Sequence, residues 1–280
     1  MENQALLEME KNACKVRMYT IEGVFNAKSG HPGGSLSAAD IITYLYFKEM
    51  KVDAAHPDDP NRDRFVLSKG HCCPSLYGAL ALKGYFSGEE IKSLRHIGAM
   101  LQGHPDMKHT PGIDMSSGSL GQGVSAACGM ALAGKYDKAD YRVYAMLGDG
   151  ECEEGQVWEA AMFAAHNKLD NLCLIVDFNG LQIDGSVNDV AGLEPLDKKF
   201  EGFGFEVLKI DGHNFDEIEA AFNKAKTVKG KPTVIIAKTI KGKGVSYMEN
   251  QVGWHGKAPN AEEYKVAMDE LNAKLKALEA

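Results

Sequence analysis

Tyr141–Gly185 reads YRVYAMLGDGECEEGQVWEAAMFAAHNKLDNLCLIVDFNGLQIDG. Tyr141–Leu147 is a short β-rich run, broken by Gly148-Asp149-Gly150. Glu154–Lys168 has helical spacing, with Val157, Ala161, Ala164 and Ala165 on one face. Leu172–Asp177 is apolar without alternation, as expected of a strand buried on both faces. Strand, helix and strand over this length predict a right-handed parallel crossover. Asp149 then lies just past one strand and Asn179 just past the next, so the two converge on the sheet edge where open α/β sheets bind ligands.

The residue types at that edge suggest a chemistry. A carboxylate, an amide oxygen and a nearby backbone carbonyl form a hard oxygen site suited to Mg²⁺, with positions left for phosphate. Gly148 and Gly150 allow close approach to the backbone. The helix expected from about Glu154 would aim its first N–H groups at the same space. A Mg²⁺-bridged diphosphate is the ligand these residues propose. A GDG turn alone is more often structural, and the Asn after the next strand is what gives it weight.

The bulk composition excludes several classes. Of 280 residues, 44% are hydrophobic and 25% charged, as in an ordinary globular protein. The net charge of −8, without a basic block, speaks against a nucleic-acid surface. Six cysteines form no CxxC pair and several fall in apolar runs, so reduced buried thiols and a cytoplasmic location are expected. No run approaches membrane-spanning length, and no signal core opens the chain.

Around the central unit the pattern predicts helices over 2–28, 36–49 (capped by Ser35 or Ser37), 74–83, 87–97 (a Ser87/Glu90 capping box), 120–134, 214–228 and 260–280. Strands are predicted at 64–67, 205–210 and 232–237, and 185–199 is predicted to be a loop. The expected fold is α/β: a doubly wound, mostly parallel sheet with helices on both faces, in one domain spanning 1–280. The small residues of Leu120–Gly134 predict close packing, either inside the domain or at a subunit interface.

Four histidines sit beside glycine in predicted loops: His31, His71, His104 and His255. Histidine suits proton transfer near neutral pH. Their spacing matches no zinc pattern. His56, His96, His109, His166 and His213 are expected to be structural or surface residues.

GDG followed after a helix by an Asn-containing turn resembles the thiamine diphosphate motif. GDGECEEGQVWEAA and KLDNLCLIVDFNGLQIDG, with SGHPGGSLS, LSKGHCCPSLYGAL and SGSLGQGVSAACGMALA upstream and WHG downstream, resemble transketolase. The resemblance runs from about residue 10 to about 258. It implies that Asp149, Asn179 and the Leu181 carbonyl ligate Mg²⁺, with Ca²⁺ or Mn²⁺ as substitutes. It implies that Ile183 packs on thiamine diphosphate, that His71 lies near the diphosphate, and that Gly150 belongs to the cofactor turn. His31 and His255 would touch sugar and cofactor, and His104 the C1 hydroxyl end of the donor ketose. The backbone of Gly118, Ser119 and Leu120 would meet the cofactor's centre; Ser119 stands where the family often has Pro.

After Asp184 only 96 residues remain, too few for a second doubly wound domain of roughly 150. The resemblance therefore implies the N-terminal subunit of a split transketolase, lacking the pyrimidine-binding and C-terminal domains. Its partner would be the complementary C-terminal subunit, in a heterotetramer of two plus two, with Glu154 facing the partner's pyrimidine-binding Glu. The complex would transfer a two-carbon ketol unit between sugar phosphates, as in pentose phosphate metabolism. The alternatives are a half-enzyme like 1-deoxyxylulose-5-phosphate synthase and a non-catalytic assembly or regulatory subunit.

Overall fold

A computed structural model describes residues 1–280. In chain order the elements are α1 (Asn3–Ala27), α2 (Pro32–Tyr44), β1 (Arg64–Leu67), α3 (Cys73–Lys83), α4 (Gln122–Tyr136), β2 (Val143–Gly148), α5 (Gly155–His166), β3 (Leu172–Phe178), β4 (Leu181–Gln182), β5 (Gly185–Ser186), α6 (Val187–Ala191), α7 (Leu196–Gly202), β6 (Glu206–Asp211), α8 (Phe215–Thr227), β7 (Thr233–Lys238) and α9 (Ala261–Glu279). Five strands form one sheet in the order β1-β2-β3-β7-β6, and every pairing in it is parallel.

Each central strand is apolar on both sides because both sides are covered. Tyr144, Met146, Cys173, Ile175 and Ile235 pack into one core with residues of α1, α2, α3 and α8. Val143, Ala145, Leu147, Leu174, Val176 and Val234 pack into a second core with α4, α5 and α7. The doubly wound α/β class predicted above is the class observed. The register sets Gly148 opposite Asp177 and Phe178 opposite Lys238, so the carboxyl ends of β2, β3 and β7 emerge together.

Four local expectations change. Helix α2 starts at Pro32, inside the Gly-Pro-rich stretch, because Pro is pre-set for a first helical turn. Ser35 and Ser37 therefore lie within the helix and do not cap it: Ser35 Oγ donates to the His31 carbonyl (2.7 Å), and Ser37 Oγ donates to Asp177 Oδ2 (2.6 Å). Ser87 caps only a short 3₁₀ segment, Gly88–Ser93, through the Glu89 N–H. Helix α4 starts at Gln122, two residues late, because Gly121 is left-handed at φ +81°. The predicted loop 185–199 instead holds β5, α6 and the start of α7, whose two buried residues, Leu196 and Phe200, are too few to show a period. Helix α9 does carry the expected capping box between Asn260 and Glu263.

No helix is long and apolar enough to cross a membrane.

Candidate active site

A cavity of about 270 Å³ opens at the carboxyl ends of the parallel strands. Strand β2 delivers Asp149 to it. Its Oδ1 accepts from the Gly150 N–H (2.9 Å) and its Oδ2 from the Gly180 N–H. Burial, together with the nearby Asp177, pushes the Asp149 carboxyl up to about 6 despite those bonds. Strand β3 delivers Asn179. Its Nδ2 donates to Asp177 Oδ2 (3.1 Å) and its Oδ1 accepts from the Leu181 N–H (3.1 Å), so the neighbours fix which way the amide points.

Two lysines, both missed as site residues by the reading of the sequence, complete this floor. Lys69 is buried in an ion pair with Asp177 and also donates to the Gly34 carbonyl (2.9 Å). Ser37 and Thr239 donate to the same carboxylate. Burial alone would raise Asp177; the Lys69 ammonium reverses that and holds it below the usual carboxylate range. Lys241 follows β7. Its Nζ donates to the Leu181 carbonyl (2.9 Å) and lies 3.0 Å from His255 Nδ1, with no carboxylate in ion-pair contact. Glu151, a third missed residue, ties the wall together: its carboxylate accepts from Ser68 Oγ (2.5 Å), the Gly121 N–H (2.9 Å) and the Gly148 N–H (3.1 Å). The signals were present. Asp177 is a lone charge in an apolar strand, and Lys69 and Lys241 stand on loops at strand ends.

Three of the four singled-out histidines meet. The rings of His31, His71 and His255 lie 5.2–5.5 Å apart, centroid to centroid. Burial, followed by neighbouring cations and imidazoles, lowers His31 to about 4 and His255 to about 3, and takes His71 well below its usual value. All three are neutral at physiological pH. His31 Nδ1 is buried without a hydrogen-bond partner. His104 stays out of the cavity lining. Its ring packs against Gly118, where an added Cβ would meet it at 3.1 Å, and Tyr77 Oη donates to its carbonyl (3.0 Å).

Asn179, Leu181, Ile183, Gly118, Leu120, Gly150 and Asp149 line the cavity with the three histidines. Ile183 is the exposed tip of the β4–β5 hairpin, 61% accessible. Ser119 and Glu154 do not line it, and both are exposed. No residue of α5 lines it either, contrary to expectation. The 3₁₀ turn Gly150–Glu153 stands between the GDG glycines and the start of α5 at Gly155.

The donor set fits a hard divalent cation and not a softer one. No group of three or more His, Cys, Asp or Glu side chains is arranged to ligate a metal. Asp149, the Asn179 amide oxygen and the Leu181 carbonyl are instead a one-charge oxygen set, which leaves coordination positions for phosphate oxygens. Asp149 is raised by burial and by Asp177, and no cation is in ion-pair contact with it, whereas the Leu181 carbonyl already accepts from the Lys241 ammonium.

A parallel α/β sheet with this edge defines a cofactor-binding fold, and comparison with known proteins specifies it. The family description "Transketolase, thiamine diphosphate binding domain" matches residues 9–276, and the chain belongs to the transketolase family. It is 48% identical over 265 residues to "6-deoxy-6-sulfo-D-fructose transketolase subunit SqwG" of Clostridium sp. (strain MSTE9), covering 95% of this chain and 96% of that one. It is 44% identical over 273 residues to an apulose-4-phosphate transketolase subunit of Phocaeicola vulgatus, covering 98% and 95%. The crystal structure of transketolase from Campylobacter jejuni superposes with a TM-score of 0.90 at 34% identity, over 99% of this chain and 46% of that chain. The chain thus matches subunit-type relatives along nearly their whole length, and about half of that transketolase chain.

Proposed function

We propose that this chain is the diphosphate- and metal-binding half of a split transketolase. With a pyrimidine-binding partner subunit it transfers a two-carbon ketol unit from a ketose phosphate to an aldose phosphate. The observation that carries this reading is the meeting of Asp149, Asn179 and the Leu181 carbonyl beside three neutral histidines at one strand edge. Those three oxygen ligands would hold Mg²⁺, or Ca²⁺ or Mn²⁺ in its place. Lys241, whose ammonium has no carboxylate in ion-pair contact, is placed to face a diphosphate.

Thiamine diphosphate, when bound, supplies the nucleophilic carbon and the electron sink for breaking and making the carbon–carbon bond. The chain supplies position and proton transfer. His31, His71 and His255 are uncharged, so each offers a sugar hydroxyl one ring nitrogen that can accept its proton and one ring N–H that can donate a hydrogen bond. His104, behind Gly118, is assigned to the C1 hydroxyl end of the donor. Ile183 offers exposed apolar surface to the cofactor, and Gly118 and Leu120, on either side of Ser119, would line its path.

The partner's docking face is assigned to α4 and α5. A groove between them is lined by Ser125, Cys128 and Gly129 on α4 and by Gln156, Glu159, Ala160 and Phe163 on α5, and Glu154, just before α5, is exposed. Two facing carboxylates there would share a proton or a hydrogen-bond network. Two copies of each chain are proposed, in the cytoplasm, where the six buried thiols stay reduced.

The test is a ketol-transfer assay on the purified chain, freed of host transketolase, with saturating thiamine diphosphate and Mg²⁺. No turnover is expected until the partner is added, and activity then follows partner concentration. His31→Ala and His255→Ala should lower kcat/KM while cofactor binding persists. Turnover by the chain alone would overturn the split reading.

A further inference from the structure

Behind the loop that carries Lys241 lies a second set of buried charges that the reaction does not use. Arg17 of α1 makes a bidentate pair with Asp40 of α2, Nη1 to Oδ1 at 2.9 Å and Nη2 to Oδ2 at 2.6 Å. Asp40 Oδ2 also lies 2.6 Å from His213 Nδ1, in the turn after β6. On its other side, His213 Nε2 accepts from the backbone N–H of Ile240 at 2.9 Å. An amide N–H can only donate, so Nε2 carries the lone pair and the imidazole proton faces Asp40. Arg17 Nε, meanwhile, donates to the Lys243 carbonyl at 3.0 Å.

The triad therefore reaches two backbone points, residues 240 and 243, on either side of Lys241. Between them the Gly242 N–H donates to the Gly33 carbonyl (2.9 Å), and the Lys241 carbonyl accepts from the Asn250 N–H (2.9 Å). Gly242 turns with φ +80°, and a Cβ there would meet the Met248 carbonyl oxygen at 2.3 Å. The loop thus has its polar groups and its space fixed. The side chain that leaves it is Lys241, 2% exposed, aimed at the Leu181 carbonyl and His255.

We propose that Arg17, Asp40 and His213 are positioning residues that latch the 240–243 loop and so set the Lys241 ammonium at the diphosphate end of the site. The side-chain hydrogen bonds that leave the triad end on this one loop. A buried ion pair adds little net stability compared with an apolar replacement, so its worth here is placement. Nδ1 and Nε2 of His213 are both engaged, one by a fixed carboxylate and the other by the loop, which transmits the position of α1 and α2 to the site. This rests on the reading above that the cavity takes a diphosphate.

Two arms test the latch. In amide hydrogen exchange on the full chain, His213→Ala should speed exchange across residues 239–245 by about tenfold, the loss of one hydrogen bond to the loop. Peptides from β2 and β3 should not change. His213→Gln, whose amide oxygen can take the place of Nε2, should recover protection. In calorimetry of Mg²⁺–thiamine diphosphate binding to the complex with its partner, His213→Ala and Lys241→Ala should each weaken affinity by about tenfold. The double variant should be no weaker than Lys241→Ala alone, because one residue acts through the other. Unchanged exchange, exchange raised evenly throughout the chain, or effects that multiply in the double variant would overturn the proposal. A wild-type complex that binds no cofactor would overturn the reading of the cavity, while the exchange arm would still decide whether the triad holds the loop.

Discussion

Asp149 and Asp177 stand at the ends of neighbouring strands, both buried, and the protein treats their charges in opposite ways. Asp177 receives Lys69, Ser37, Thr239 and the Asn179 amide, and its carboxyl is held low. Asp149 receives two backbone N–H groups and is pushed up to about 6, chiefly by burial and then by Asp177. Burial raises both carboxyls, so it accounts for Asp149 and not for Asp177, whose lowering needs the Lys69 ammonium. A carboxylate with its own cation is part of the architecture. One left without a cation is a site waiting for charge from outside.

The largest effect should come from breaking the internally neutralised member. Asp177→Ala strands the Lys69 ammonium in a position 2% exposed. The expected loss is about 3–5 kcal/mol in the free energy of urea unfolding. Replacing both partners with apolar residues, Lys69→Met with Asp177→Leu, should recover most of it. A loss below about 1 kcal/mol for Asp177→Ala would mean that the pair is solvated in a way its burial denies.

Asp149 should behave in the reverse sense. Asp149→Asn should not destabilise the free chain near neutral pH, yet Mg²⁺-dependent uptake of thiamine diphosphate by the complex should disappear in calorimetry. Asn179→Ala should weaken uptake less, because it removes a neutral ligand. The pH dependence sharpens the contrast. The Asp149 carboxyl rises from 3.8 to about 6 on folding, so between those values the folded chain binds more protons than the unfolded chain. Stability therefore falls as pH rises through that window, by up to about 3 kcal/mol, and Asp149→Asn removes the fall. His31 and His255 go the other way: lowered from 6.5 to about 4 and about 3, they bind fewer protons when folded, and stability is lost as pH drops below 6.5. His31→Gln should flatten that acid loss. Unfolding free energies of the cofactor-free variants from pH 4 to 7 check both signs, and slopes tilting the same way would break the comparison.

The same contrast explains what could be read in advance. The sheet and the Asp149/Asn179 convergence were legible because parallel strands end on one edge and their apolar runs announce burial on both faces. The charges that serve the site from below were not. Lys69 reads as a loop residue and Asp177 as an oddity in a strand until the fold puts them in contact across 108 positions. His213 likewise reads as one histidine among nine; Asp40, 173 positions away, gives it a partner. Glu154 was legible as the start of a helix but not as lying off the cavity, because a 3₁₀ turn between GDG and the helix leaves no mark in the spacing.

The smallest predicted effect concerns surface that the fold leaves open, and it divides the small residues of α4 between the two readings they allowed. A Cβ added at Gly123 would meet the Ser68 Cα at 2.7 Å, so that glycine serves contact inside the domain. A Cβ at Gly129 would meet nothing within 4 Å, although the groove between α4 and α5 opens there. A mid-helix glycine with free space costs the chain stability and gives it nothing internally. Gly129→Ala should therefore raise the stability of the isolated chain by about 0.5–1 kcal/mol, read as an upward shift of the thermal midpoint. Gly129→Phe should leave the fold intact and weaken association with the partner, measured by titrating one subunit into the other. The two readouts separate causes: a variant that melts no lower yet assembles less well has lost surface complementarity and not structure. If Gly129→Phe assembles with unchanged affinity, the partner does not dock on this groove, and the exposed Met162 and Phe163 of the neighbouring helix need another occupant.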